Sequence, residues 1–435
     1  MEMTTATAPK EKWAAPFFTI WIPQAFSLVG SSLAQFALVW WLTQTTGSAT
    51  VLATASLAAG LPQVVIGPLS GTLVDRWNRR LVMIVADTLI AAGLVVLAFL
   101  YVAGAMRVWH IYVIMAFRAL LGGFHWMAMQ ASTSLMVPRA QLARIAGLNQ
   151  TLHGIVSIVS PPLGAVLLSL LPLHGVIAID VATALLAVTP LFFIAIPQPQ
   201  RAPMPLAGEP ADSAAPRAIQ PTVLSDLRAG LRYVWGWPGL FAVLIMATLV
   251  NFVVNPAFAL MPILVTRHFG GAALELGWLE SAWGIGVVSG GLILSVWGGF
   301  RKRVVTALLG LAGMGCGTLI VGLAPARAFT MALAGMFLAG FMNPITNGPF
   351  VALLQSHVAP EMQGRVFSLV QSAATAMMPL GLLVAGPVAD ALGVRLWYLV
   401  GGSACILIGL GAFLVPAIMN IESNNAQALP TTTSG

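Results

Sequence analysis

The feature that most constrains this chain is a series of twelve apolar runs, each about as long as the 20 residues that a helix needs to cross a bilayer. Hydrophobic residues make up 58% of the 435 residues and charged residues only 8%, whereas about 25% of a soluble domain is charged. Such a chain cannot bury its apolar surface in water. We therefore expect an all-α membrane protein with twelve transmembrane helices, at 15–43, 48–70, 81–103, 108–135, 146–171, 175–196, 238–265, 274–298, 304–324, 327–356, 366–389 and 395–418.

A polar stretch rich in proline and alanine, residues 197–222, divides the runs into two sets of six. Residues 224–235 then alternate apolar and basic side chains at helical spacing, which favours a helix along the membrane surface over a solvated linker helix. The predicted organisation is a six-helix bundle over 1–196, a cytoplasmic linker with an interfacial helix over 197–237, a second six-helix bundle over 238–420 and a disordered tail over 421–435.

Lysine and arginine residues set the expected orientation, because they are enriched in cytoplasmic loops. Fifteen fall on the side that holds the N-terminus, and four, Arg107, Arg267, Arg327 and Arg395, fall on the other. Both termini are therefore expected to be cytoplasmic. The formal net charge of +7 does not indicate a nucleic-acid partner, since the basic residues are scattered over loops and form no basic face.

The two halves of the sequence repeat a pattern. Segments 138–144 and 360–365 each begin with proline and end with arginine, and a glutamine follows each arginine at equal spacing. Duplicated six-helix units are typical of transporters in which two bundles rock about a central site.

One loop concentrates charge between the second and third predicted helices. It contains an acid and three arginines within a short stretch, and its notable residues are Gly71, Asp75, Arg76, Arg79 and Arg80. Charges are costly inside a bilayer, so this loop is expected at the membrane surface. A weaker copy in the second half, residues 291–303, has Ser295 in place of the acid.

This loop resembles the signature loop of the major facilitator superfamily of transporters, and the resemblance covers nearly the whole chain. Phe117-Arg118-Ala-Leu-Leu-Gly122 is similar to that family's helix 4 pattern, and Ser160-Pro-Pro-Leu-Gly164 approximates its exporter motif, with serine in place of the first glycine. Segments 39–41, 137–142, 177–181 and 251–256 resemble the macrolide-efflux branch, close to bacterial siderophore exporters. The resemblance implies the major facilitator fold and a gating role for the loop at 71–80.

Polar residues form stripes on several predicted helices. Gln24, Ser27, Ser31 and Gln35 are spaced by 3, 4 and 4 residues and so share one face. In the family that the chain resembles, helices 1, 4, 7 and 10 line the central cavity. This implies the substrate-cavity candidates Gln24, Ser31, Gln35, Arg118, His125, Asn251, Asn255, Asn343 and Asn347. The alternative, that such residues hold helices together, stays open.

Four charged residues inside the predicted spans are candidates for proton coupling. Arg118 lies roughly 15 Å into its helix, at 1.5 Å per residue, and an arginine at that depth needs a partner or water. Asp87, Asp180 and Glu280 also lie within spans, and a carboxyl withdrawn from water can exchange protons near neutral pH. Each acid could instead be a helix-end residue wetted by the interface.

Together these patterns predict a secondary transporter that exports bulky hydrophobic, macrolide-like drugs by proton antiport with alternating access. The alternatives are an exporter of a specific metabolite such as a siderophore, a lysolipid flippase, and a membrane enzyme or sensor. The sequence has no nucleotide-binding loop, catalytic constellation or metal-ligand spacing, so no enzyme activity, cofactor or metal is expected. The expected partners are an amphipathic small molecule, protons and the lipid bilayer, with a monomeric protein in a bacterial plasma membrane.

Overall fold

The computed structural model describes residues 13–198 and 231–422, apart from the side chains of residues 63–73, 75–76 and 360–361. All regular elements in this part are helical, which confirms the predicted all-α class. The long helices are α1 (Ala14–Thr46), α2 (Ala49–Arg76), α3 (Arg79–Val102), α4 (Val108–Met136), α5 (Arg139–Leu170), α6 (Leu173–Val188), α7 (Pro238–Ala259), α8 (Ala273–Trp297), α9 (Arg303–Leu323), α10 (Phe329–His357), α11 (Pro360–Leu392) and α12 (Val394–Gly411).

The lengths and composition of these helices suit a bilayer. Within the described part, eleven of them are long and apolar enough to cross a membrane, and the described side chains of α2 add a shorter apolar segment, Ala49–Pro62. The chain is therefore a multi-pass membrane protein. The predicted linker, its interfacial helix up to residue 230, and the tail from 423 lie outside the described residues.

Six predicted boundaries were wrong by a turn or more. Helix α2 continues to Arg76 and so includes the start of the predicted gating loop, while α6 ends at Val188 and not at 196, and α12 at Gly411 and not at 418.

The other three boundaries lie beside prolines. Helix α11 begins at Pro360 and not at 366, because proline is favoured at the first helical position, where its missing N–H costs nothing. Helix α5 begins at Arg139 and not at 146, directly after its N-cap residue Pro138. Helix α7 ends at Ala259 and not at 265, and a π-helical turn, Leu264–Phe269, follows Pro262. Proline cannot donate the bond that would continue the regular helix.

Small residues allow the helices to approach closely. A Cβ added to Gly402 of α12 would lie 2.6 Å from the backbone nitrogen of Leu319 in α9. One added to Gly310 of α9 would lie 2.7 Å from the nitrogen of Thr346 in α10. Hydrophobicity does not drive association within lipid, so such contacts depend on close packing of small residues.

Two helix pairs make most of the contacts between the first six helices and the last six. Helix α2 packs on α11 and α5 packs on α8. Gly386 allows α11 to reach Thr50 of α2, and Gly277 allows α8 to reach Pro162 of α5, each within 2.9 Å of an added Cβ. These contacts lie toward the end that carries the α1–α2 connection, which we call the distal end. The other end, with the α2–α3 and α4–α5 connections, we call the basic end.

Candidate functional site

The polar stripe of α1 faces a cavity of about 290 Å³ within the first six helices. Gln24, Ser27 and Ser31 line it from α1, and Arg118, Gly122, His125 and Met129 line it from α4. A neighbouring cavity of about 540 Å³ shares Ser31 and His153 with it and adds Gln35 and Glu280. The described residues that line the first cavity all belong to the N-terminal half, whereas the second cavity lies between the halves.

Arg118 lies in a polar cluster that joins α1, α4 and α6. Its Nη2 is 3.3 Å from Oδ2 of Asp180 and donates to the carbonyl oxygen of Ser31 at 3.0 Å. The Ser31 hydroxyl donates to Oδ1 of Asp180, also at 3.0 Å. Asp180 is only 1% exposed. Arg118 therefore has the partner that its depth requires, and Asp180 is no wetted helix-end residue.

Two polar atoms of this cluster find no hydrogen-bond partner among the described protein groups. Nη1 of Arg118 and Oδ2 of Asp180 are buried without a hydrogen-bond partner among the described residues. Native proteins leave few buried polar atoms unpaired, and a buried ion pair repays its desolvation only when its remaining atoms are also bonded.

A second cluster lies about two turns away along α1, toward the basic end. Oδ2 of Asp87 in α3 accepts a hydrogen bond of 3.2 Å from Gln24 and lies 3.4 Å from Nε2 of His125. The Asp87 residue is 8% exposed. Gln24 and Ser31 thus connect the stripe of α1 to two separate acid–base pairs, one with histidine and one with arginine.

Glu280 stands apart from both pairs. Within the part of the chain that the structure describes, its carboxylate has neither a hydrogen bond nor an ion pair, and it lines the cavity between the halves. Helix α5 forms part of the same wall through Ser157, Ser160 and Pro161. The structure therefore brings Gln24, Ser31, Gln35, Arg118, His125, Asp87 and Glu280 to connected cavities, with Asp180 just behind them.

The four asparagines of α7 and α10 are not brought to these cavities. Asn255 donates to the side chain and carbonyl of Asn251, which itself donates to the carbonyl of Ala247. Asn347 donates to the carbonyl of Asn343. None of the four lines the cavities described here. Their described hydrogen bonds run along their own helices.

The predicted gating loop is described only in part. The side chains of Gly71, Asp75 and Arg76 lie outside the described residues. Arg79 is 7% exposed and donates to the carbonyl of Ala131 near the end of α4 at 3.2 Å. Arg80 donates to the carbonyls of Leu191 and Phe192 after α6. Both arginines stabilise carbonyl groups near helix C-termini of their own half.

A polar cluster at the distal end, which we call the Asp390 clasp, was not predicted from the sequence. The carboxylate of Asp390 in α11 accepts hydrogen bonds from the backbone N–H groups of Ala49 and Thr50, both 2.9 Å, and from the hydroxyls of Ser48 and Thr50, both 2.8 Å. Arg267 Nη1 lies 3.2 Å from it. An acid in the last turn of a helix is disfavoured by that helix's dipole. This unfavourable position is the sequence feature that could have indicated a partner for Asp390 outside its own helix.

Two residues of α5 were not among the predicted cavity residues. Asn149 and His153, one turn apart, line the first cavity, and Oδ1 of Asn149 accepts a 2.7 Å hydrogen bond from Nε1 of Trp21. Their helical spacing on one face could have identified them. Helices 1, 4, 7 and 10 were predicted to line the cavity, and α5 and α8 were left out.

Comparison with known proteins gives a consistent result. The profile of the Major Facilitator Superfamily matches residues 20–382 and 240–430. The chain is 35% identical to macrolide efflux protein A of Streptococcus pyogenes over 410 residues, covering 94% of this chain and 98% of that protein. It is 26% identical to the multidrug efflux pump Tap of Mycobacterium tuberculosis over 415 residues, covering 94% and 95% of the two chains.

Solved structures share the fold. A bacterial homologue of the human lysosomal transporter Spinster, inward-facing and unoccupied, superposes with a TM-score of 0.67 at 13% identity, covering 95% of this chain and 97% of that one. A single-substitution mutant of the nucleoside transporter NupG gives 0.66 at 13% identity, covering 91% and 98%. With a family profile that spans most of the sequence and a relative of 35% identity over nearly its full length, the chain belongs to the major facilitator superfamily of transporters.

Proposed function

We propose that this protein exports bulky hydrophobic drugs of the macrolide type. The single observation that carries the proposal is the similarity to macrolide efflux protein A along 94% of the chain. The connected cavities support it, because aromatic and methionine side chains such as Trp21, Trp126 and Met129 line them beside polar groups. Apolar walls with a few polar groups suit amphipathic ligands.

Export is proposed to proceed by alternating access between two six-helix bundles, 1–196 and 238–420. The basic end is the cytoplasmic one, in keeping with its arginine content, and both termini face the cytoplasm. The close contacts between halves lie toward the distal end, and no described residue of the C-terminal half lines the first cavity. We infer a conformation closed toward the outside, with Asp75, Arg76, Arg79 and Arg80 forming a latch in the opposite conformation. The transporter acts as a monomer.

Protons are proposed to drive this export. Asp87 and Asp180 each lie within 3.4 Å of a basic side chain in the same cavity region, and Glu280 lies in the adjoining one. Protonation of a carboxylate removes the attraction to its basic partner, which changes the helix contacts that the pair makes. Arg118 then links the protonation of Asp180 to α1 through Ser31.

The proposal is tested in a bacterial host that lacks its major drug pumps. Expression of the chain is expected to raise resistance to macrolides, and a protonophore is expected to raise the accumulation of a fluorescent substrate. Unchanged susceptibility across a drug panel would remove the drug-export proposal. Proton coupling is tested in vesicles with Asp87→Asn, Asp180→Asn and Glu280→Gln, and wild-type dependence on the proton gradient in all three would contradict it.

A lysolipid flippase is less well supported. It would need a basic lateral pocket, and the lateral pocket between α3 and α4 is lined by Trp77, Leu81, Val85, Phe124 and neighbouring residues, without a basic side chain among the described ones.

A further inference from the structure

No described neighbour of Glu280 accounts for a carboxylate at this position. The other described acid of α8, Glu275, accepts a 2.8 Å hydrogen bond from the backbone of Ala272 and so closes the first turn of the helix. Glu280 has no such bond to any described residue. It lies seven residues into α8, about 10 Å at 1.5 Å per residue. An acid at that depth is costly unless it serves a ligand or a proton.

Its neighbours form an aromatic wall. Trp283 is one turn further along α8 and lines the same cavity, and Phe258 of α7 packs against it with ring centroids 4.4 Å apart at 71°. Phe36 of α1 lines the cavity from the other half. Aromatic faces attract organic cations, most strongly where water is excluded.

On the opposite wall of the cavity, two prolines interrupt the backbone hydrogen bonds of α5. Pro161 and Pro162 of α5 lack N–H groups, so the carbonyls one turn earlier lose their helical donors. Ser281 satisfies one of them, since its hydroxyl donates to the carbonyl of Ile158 at 2.6 Å. The Ser160 hydroxyl, which also lines the cavity, is buried without a hydrogen-bond partner among the described residues. This wall therefore adds polar oxygens and no positive charge.

We propose that the cavity between the halves is a binding site for an organic cation with an apolar body, in which Glu280 is the counter-charge and Trp283 and Phe258 contact the apolar body. The lining holds one carboxylate, one histidine, His153, and otherwise neutral side chains. A cation is the ligand that both an unpartnered carboxylate and aromatic faces attract. This inference rests on the proposed export function and specifies its substrate class.

The position of this site couples ligand binding to the relative motion of the two halves. Glu280 and Trp283 belong to the C-terminal half, while Phe36 and Ser160 belong to the N-terminal half. A ligand in this cavity touches both halves. Rocking of the halves must therefore change its contacts, and a differential interaction with two states is what lets a ligand bias a conformational equilibrium.

Binding to purified full-length protein tests the site directly. The probes are tetraphenylphosphonium, a permanent cation with four phenyl rings, and triphenylphosphine oxide, an uncharged relative of similar shape. Glu280→Gln keeps the side-chain volume and removes the charge. We expect it to weaken tetraphenylphosphonium binding by about tenfold or more, the scale of a desolvated charge pair, and to leave triphenylphosphine oxide binding unchanged. Glu275→Gln, on the same helix, is the matched control and should change neither affinity.

The comparison of two probes separates the possible outcomes. Equal losses for both probes in Glu280→Gln would mean that the variant disturbs the cavity, and this would overturn the charge-recognition proposal. So would unchanged tetraphenylphosphonium affinity in that variant, or no measurable binding of this cation to the wild-type protein. Because binding needs no export, a Glu280-dependent site in a protein that confers no drug resistance would uphold the inference and refute the proposed function.

Discussion

The Asp390 clasp offers the sharpest test of how the two halves separate. Its carboxylate accepts four hydrogen bonds from the start of α2, two of them from the backbone N–H groups of Ala49 and Thr50. These bonds cross between the halves and cannot survive separation of the distal end. The variant Asp390→Asn keeps the shape of the side chain but replaces one acceptor oxygen by a donor and removes the charge.

The magnitude follows from the structure. A hydrogen bond to a charged group contributes about 1.5–3 kcal/mol and a neutral one about 0.5–1.5 kcal/mol, while a charge at a helix N-terminus adds roughly 0.3–1 kcal/mol. The side chain of Asp390 is 28% exposed, so water screens part of this. We expect Asp390→Asn to destabilise the closed distal end by about 1–2 kcal/mol, which is roughly a 5- to 30-fold population shift.

Pulsed electron paramagnetic resonance measures this shift. Spin labels at Thr45→Cys and Leu392→Cys, in a background with Cys316→Ser and Cys405→Ser, report the distance between the halves at the distal end. The population with a long distance should grow in Asp390→Asn. Glu275→Gln, an acid near the same end whose described hydrogen bond runs to Ala272 at the start of its own helix, should leave the distribution unchanged. An unaltered distribution in Asp390→Asn would refute the idea that the clasp stabilises closure.

Three further predictions concern packing and buried polarity. Arg118→Met and Asp180→Asn should each destabilise the protein by about 3–5 kcal/mol, because each leaves a buried charge unpaired. The double variant should destabilise it by less than the sum of the two, and additive losses in thermal unfolding would contradict a coupled pair. Gly402→Ala should cost about 1–3 kcal/mol through overpacking, whereas Gly123→Ala, with open space around its Cβ, should not lower the melting temperature. Ser281→Ala should cost about 1–3 kcal/mol by leaving a carbonyl unsatisfied, and Ser281→Thr should restore most of the loss.

The sequence predicted the membrane class and the helices well, because both depend on local properties. Apolar runs of spanning length reflect the bilayer thickness, whatever the rest of the chain does. The helix ends were harder, since α5 begins just after Pro138 and α11 at Pro360, both outside the apolar runs, and Pro262 alters the end of α7. Periodicity also identified the shared face of Gln24, Ser31 and Gln35, since side chains four residues apart lie on one side of a helix.

Only the tertiary structure decided which charged groups meet. The pairing of Arg118 with Asp180 and of Asp87 with His125 joins helices far apart in sequence, and nothing in either local segment specifies the partner. Asp390 and Thr50 are 340 residues apart and meet only because α2 and α11 pack across the halves. The sequence by itself determined which segments form membrane-spanning helices. The packing of those helices determined which polar groups were paired and left Glu280 facing a cavity without a partner among the described residues.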